Sequence, residues 1–218
     1  MNVLAVGAHH DDIELGCGGT LARLAREGHR TFGLTLTNSE THYDLRGIHR
    51  TSEQARTEAK QAAAVLGLSL VELEGSGKDN GTLAYDVELM RRLERFIEHE
   101  RISLVFSHFS RDLNTDHEAA AKMTMVATRH VPSVLMYRSN WYEPAEPFDA
   151  KLYVDISDVI ELKRQSLECY TTEIENRTSA WLDSFFDSHR AAGFGHGTKY
   201  AEVFEPVRVE LFPRAERA

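Results

Sequence analysis

Short apolar runs rich in β-branched residues alternate with amphipathic stretches over the first 137 residues, and few folds accept that pattern. Residues 2–6 (NVLAV), ended by Gly7, read as a buried strand, and the polar loop 8–14 follows. From Gly18 to about Glu27 the spacing of Leu21, Leu24 and Ala25 fits one helix face, closed at Gly28; Thr31–Thr37 then alternates like a second strand. A helix is expected over 52–66, with Ser52 at its N-cap and Gly67 at its end. Next come a strand over Leu68–Leu73, a helix over 85–100, a strand over Ser103–Ser107, a helix over 118–130 and a strand over Ser133–Tyr137. A further helix runs from about Ser157 to Asn176, whereas 177–205 is Gly- and aromatic-rich with little periodicity. The alternation predicts an α/β fold: a doubly wound, mostly parallel, Rossmann-like sheet with helices on both faces, residues 1–218 forming a single domain. In such a sheet the loops after the carboxyl ends of strands gather at one edge, so loops 8–14 and 108–117 can meet there.

Charge and cysteine content narrow the function classes. A formal net charge of -9 disfavours nucleic acid and anionic membrane surfaces as partners and leaves small molecules. The only cysteines, Cys17 and Cys169, lack the spacing of a metal knuckle or redox pair and suit a reducing cytoplasm. The N-terminus has no basic region before its short apolar run, and no segment approaches the about 18 apolar residues of a membrane span. A cytoplasmic location without membrane insertion is therefore expected, and a homo-oligomer stays open.

The densest chemistry lies in Ala8-His9-His10-Asp11-Asp12-Ile13-Glu14, five ionisable side chains directly after a strand. Packing gives no reason for them, although Asp11 and Asp12 would also serve to cap the following helix. A second polar segment, Ser110-Arg111-Asp112-Leu113-Asn114-Thr115-Asp116-His117, leads into another helix, where Thr115 or Asp116 is an ordinary N-cap. Together the two loops offer histidine and carboxylate from one and histidine from the other, the three protein ligands of an open catalytic zinc site. Zinc, or another divalent cation, would lower the pKa of bound water from about 15.7 to about 7 and polarise a carbonyl. A neighbouring carboxylate that is not a ligand can then take the proton and pass it to a leaving nitrogen.

The A-H-H-D-D-I-E-L-G segment resembles the A-H-P-D-D-x-x-x-G signature of the LmbE/PIG-L family of metal-dependent deacetylases, and R-D-L-N-T-D-H resembles that family's second motif. Asp155 through Lys163 to Tyr200-Ala201-Glu202-Val203-Phe204 looks like its C-terminal part. The resemblance implies hydrolysis of an N-acetyl group from an amino-sugar substrate, with His9, Asp12 and His117 as metal ligands and Asp11 as general base. Two positions depart from the family pattern. His10 replaces a proline and becomes a candidate substrate contact. Asn114 stands where many members have a histidine; it can donate to an oxyanion but cannot titrate near neutrality, which shifts proton delivery to Asp11 or to His108 or His196. Asp116 is expected to orient Asn114 or a metal ligand.

Glu14, Arg56 and Asp79 complete the candidate substrate contacts, with Arg50 as an alternative to Arg56. Trp141, Tyr142, Trp181, Phe185, Phe186 and Phe194 offer a wall for a sugar face or an ordinary core, and Glu202 is flanked by apolar residues at strand spacing. Two rival readings use the same residues. The pair His10-x-Asp12 with a distant histidine suits a non-haem iron oxygenase, but those sit on jelly rolls. Gly16, Gly18 and Gly19 suit a nucleotide-binding module, but an acidic loop separates them from the strand.

Overall fold

The computed structural model describes residues 1–43, 47–177 and 179–210. Its central sheet has strand order β5-β2-β1-β6-β7-β9-β8. Strands β1 (Asn2–Gly7), β2 (Arg30–Thr35), β5 (Ser69–Val71), β6 (Ile102–His108) and β7 (Ser133–Tyr137) run parallel. Strand β9 (Ala201–Arg208) returns antiparallel beside β7, and β8 (Leu152–Asp155) pairs antiparallel with β9. A hairpin, β3 (Thr41–Tyr43) and β4 (Ile48–Arg50), stands outside this sheet. The fold is the expected mostly parallel α/β architecture with two antiparallel strands added at one edge.

Burial on both faces explains the sequence of β1. Leu4 and Val6 join a core with Leu89, Leu93 and Ile97 of α3 (Val87–His99) and Met123 of α4 (Thr115–Ala127). Val3 and Ala5 join an opposite core with Ile13 and Leu21 of α1 (Asp12–Arg26), Leu66 of α2 (Ser52–Leu66) and Ile156, next to α5 (Ile160–Glu168). A strand covered on both sides needs continuous rather than alternating apolarity, as NVLAV shows.

Helix α1 begins at Asp12, six residues before the expected Gly18, so the acidic segment is its first turn and not a free loop. Gly16, Gly18 and Gly19 all lie inside the helix, and close packing demands glycine at 16 and 19. A Cβ on Gly16 would stand 2.0 Å from Tyr137 Cδ2, and one on Gly19 3.0 Å from Ile156. Glycine costs about 1 kcal/mol in a helix interior, and here close approach offsets it. This placement removes the phosphate-loop reading, since the glycines do not form a loop, and the parallel sheet removes the jelly roll of the oxygenase reading.

Caps also fall one residue earlier than expected. Thr51, not Ser52, caps α2 in a reciprocal capping box with Gln54, and Asn114, not Thr115 or Asp116, caps α4. The single helix expected over 157–176 is two, α5 and α6 (Thr171–Arg177). The stretch without evident periodicity contains α7 (Ser179–Gly195), whose Trp181, Leu182, Phe185 and Phe186 form a buried stripe. Glu202 of β9 does point inward. It is fully buried, accepts from Gly19 N, Thr20 N and Thr20 Oγ1, and pairs with Lys163 Nζ at 2.6 Å. That network joins β9, α1 and α5.

Candidate metal centre

The chain winds from β1 outward through β2 to β5, then returns to lay β6 and β7 on the other side of β1. The loops after β1 and β6 therefore diverge from adjacent strands, and a crevice opens between them at this switch point. Residues 8–11 leave β1 and lead into α1; residues 109–114 leave β6 and lead into α4. Both helices point their N-termini at the crevice.

Ligand atoms of His9, Asp12 and His117 lie within 4.8 Å of one another. His9 Nδ1 is 3.3 Å from Asp12 Oδ2 and 3.3 Å from His117 Nε2, which is itself 3.3 Å from Asp12 Oδ1. The other nitrogen of each ring is held by a carboxylate. His9 Nε2 donates to Asp116 Oδ2 at 2.9 Å, and His117 Nδ1 donates to Asp112 Oδ2 at 3.1 Å. Because a carboxylate only accepts, these bonds place a proton on the outer nitrogen of each ring and leave His9 Nδ1 and His117 Nε2, facing Asp12, as the atoms that can ligate. Carboxylate-backed imidazoles turned toward a common point are the donor set of a divalent metal.

Charge balance points the same way. Burial lowers the proton affinity of His9, yet hydrogen bonds to Asp116 and Asp12 and the charges of Asp12 and Asp11 outweigh it and hold the pKa at about 10. Burial is likewise overcome in His117, held at about 9 by the Asp12 charge and the Asp112 bond. Burial works against ionised Asp12, but the facing His117 and His108 imidazoles keep its carboxyl well below its ordinary value. Ser139 Oγ and His9 N also donate to it. The centre thus gathers negative charge that two imidazolium protons, or one divalent cation, would balance.

Asp11 occupies the N-cap position of α1 with φ 124°, ψ -25° and makes no capping hydrogen bond with its side chain. Such a conformation costs a non-glycine residue on the order of 1–3 kcal/mol. Burial, the adjacent Asp12 charge and Glu173 push its pKa up to about 8, against the pull of Arg177 and Arg50. The capping explanation for this carboxylate is accordingly absent. Asn114 shows the reverse: its Oδ1 accepts from Asp116 N and His117 N and so caps α4. Asp116 does not orient Asn114; it receives Gly81 N and Leu83 N and fixes His9.

The remaining expected residues fall into three settings. His10 borders the crevice, its backbone N–H donating to Ser39 Oγ and its carbonyl accepting from Arg50 Nη1. Glu14 is 3% exposed, with burial pushing its pKa up to about 7, and it is closed off from substrate. Arg56 is exposed and paired with Glu72, whereas Arg50 is buried against Glu58 and Glu173 behind His10. Asp79 accepts from Asn38 Nδ2 on the loop that also supplies Gly81 N to Asp116. His108 is fully buried and stacked on His117, with Nε2 accepting from Ala8 N, so it supports the centre from beneath and cannot reach substrate. His196 is exposed, lies tilted against Tyr153, and belongs to another part of the molecule. Trp141, beside Phe185, and its neighbour Tyr142 are exposed, while Trp181 and Phe186 are buried and Phe194 points to solvent.

Several members of the centre escaped the sequence reading. Asp112 lies in the second motif and was readable as a helix-flanking acid, but Ser139 and Asn140 follow β7 and carry no local signal. Asn140 Nδ2 donates to Asp112 at 2.9 Å.

A family model described as PIG-L, GlcNAc-PI de-N-acetylase, matches residues 4–128, more than half of the 218 residues. The chain is similar to the uncharacterized deacetylase YaiS of Escherichia coli (strain K12), 32% identical over 146 residues that cover 64% of this chain and 75% of that protein. It is also similar to the diacetylchitobiose deacetylase of Thermococcus kodakarensis, 24% identical over 218 residues covering 92% and 80% of the two chains. Among solved structures, GalB, the 4-carboxy-2-hydroxymuconate hydratase of Pseudomonas putida KT2440, matches with a TM-score of 0.76 at 22% identity, covering 100% of this chain and 98% of that one. That likeness shows a common fold.

Proposed function

The chain belongs to the PIG-L family, and from that premise we propose that it hydrolyses the N-acyl amide of an amino sugar or amino-sugar conjugate, using a divalent cation, zinc, held by His9, Asp12 and His117. The observation that carries this reading is the convergence of three ligand atoms from two loops, with both imidazoles turned by carboxylates. The cation would supply Lewis acidity, lowering the pKa of water and polarising the amide carbonyl. Asp11 is the general base. Burial and the neighbouring Asp12 charge raise its proton affinity, which suits a carboxylate that takes a proton from water and returns it to the departing nitrogen. Asn114, with Oδ1 committed to the α4 cap, presents its amide N–H to the developing oxyanion. Asp116 and Asp112 keep the two imidazoles in the ligating tautomer.

A cleft of about 790 Å³ runs from His10 past Thr37, Asn38, Arg56 and Lys60 to Gly77. It leaves room for a substrate larger than a simple amide, consistent with a glycosyl conjugate. YaiS and the Thermococcus protein carry deacetylase names, which favours this chemistry over the water addition performed by GalB on the same fold. The test is a panel of N-acetylglucosamine and its conjugates, read as free primary amine released by metal-stripped and zinc-reloaded enzyme. Amine release that needs the metal is expected. If no member of the panel yields amine while an unsaturated acid is hydrated, the deacylase reading fails.

A further inference from the structure

We propose that His42 and His49 form a second divalent-cation site, on the β3–β4 hairpin and separate from the triad. The two residues face one another across the antiparallel pair, with Nδ1 atoms 3.2 Å apart. His42 Nε2 donates to Glu40 Oε1 at 2.9 Å, which leaves His42 Nδ1 to accept from His49 Nδ1–H; moving the His49 proton to its Nε2 frees both Nδ1 lone pairs for an ion. Two nitrogens each about 2.0–2.1 Å from one tetrahedral ion stand roughly 3.3 Å apart, so the ring spacing is that of a bidentate pair. At the triad the relation recurs: a carboxylate-backed His9 with Nδ1 3.3 Å from His117 Nε2. Both hairpin histidines are exposed, leaving the other coordination positions to water. Two imidazoles with water suit zinc, copper(II) or nickel(II), and two protein ligands bind more weakly than three.

The position of the hairpin gives such a site a consequence. Its two roots hold the residue between ligand His9 and base Asp11: Ser39 Oγ accepts from His10 N at 2.8 Å, and Arg50 Nη1 donates to His10 O at 3.5 Å. An ion joining His42 to His49 cross-links the strands between those roots and stiffens the wall of the crevice. This inference rests on the hairpin alone and not on the catalytic reading.

Zinc titration of the full chain by calorimetry is expected to show a tight and a weaker class of site. His42→Gln and His49→Gln, with unchanged circular dichroism, should each weaken the second class at least tenfold and leave the tight class intact. Copper(II) added after the tight class is filled with zinc should show spectroscopic coupling to two imidazole nitrogens, lost in both variants. His117→Ala should remove the tight class and keep the weaker one, which separates this site from the triad. Filling the weaker class should slow amide exchange within 39–43 and 47–50. A wild-type chain that binds a single zinc, or a weaker class unaltered in both variants, overturns the site; unchanged exchange overturns the stiffening of the crevice.

Discussion

Asn114 shows how one side chain can be assigned from chemistry and turn out to serve structure as well. Its Oδ1 caps α4, while the proposed mechanism uses its amide N–H, and two substitutions separate these uses. Asn114→Asp keeps the cap acceptor and removes the donor, so kcat should fall while the unfolding midpoint stays near wild type. Asn114→Ala removes both and should cost about 1 kcal/mol in denaturant titration besides the loss of rate. The cap was hard to read because Asn114, Thr115 and Asp116 are all cap-type residues in a row, and only backbone geometry chooses among them. His9, Asp12 and His117 were legible through residue type and spacing. Asp116 was legible as a support for Asn114 or for a ligand, but which of the two was not, because it reaches back across 107 positions to His9, and Asn140 arrives from a third loop without local signal. Asp116→Ala should lower metal affinity by roughly 10–100-fold in chelator competition, since His9 loses the partner that orients it.

Elements were legible where periodicity was strong and local. Strand β7 falls where the pattern puts it and α2 matches its expected span, but α1 starts six positions before the expected one, because three glycines resemble a loop until Tyr137 and Ile156 are seen against Gly16 and Gly19. Helix α7 was hard to read because Gly193 and Gly195 fall in its last turn, beyond the aromatic stripe, although Gly193 is required by the Tyr200 backbone, which a Cβ would meet at 2.7 Å. The same helix carries His189, 7% exposed, whose pKa is pushed well below its ordinary value by burial and then by Lys163. A folded-state pKa depressed below the unfolded value of about 6.5 means that the neutral ring's contribution is present above that pH and is lost as pH falls below it. Between pH 6.5 and 5.5 the unfolding free energy of wild type should therefore drop more steeply than that of His189→Gln, by up to about 1.4 kcal/mol per pH unit. Equal slopes in urea titrations would remove His189 from the account.

At the scale of the whole molecule, alternation of strand and helix was enough to expect a doubly wound sheet and a site at its carboxyl edge. The two antiparallel strands at the far edge were legible only in part: strand spacing shows around Glu202, but Pro206 and the four-residue β8 hide the pairing. What the topology contributes is adjacency: β1 and β6 are neighbours in the sheet although a hundred residues separate their loops, and His9, Asp12 and His117 meet because the chain reverses its winding between them. The most direct test measures tightly bound metal and amine release in the same preparations of wild type, Asp11→Asn and His117→Ala. The account predicts that Asp11→Asn retains wild-type metal content while losing on the order of 10²–10⁴ in rate, and that His117→Ala loses both. An Asp11→Asn enzyme turning over at the wild-type rate, or a His117→Ala chain holding its metal as tightly as wild type, would contradict it.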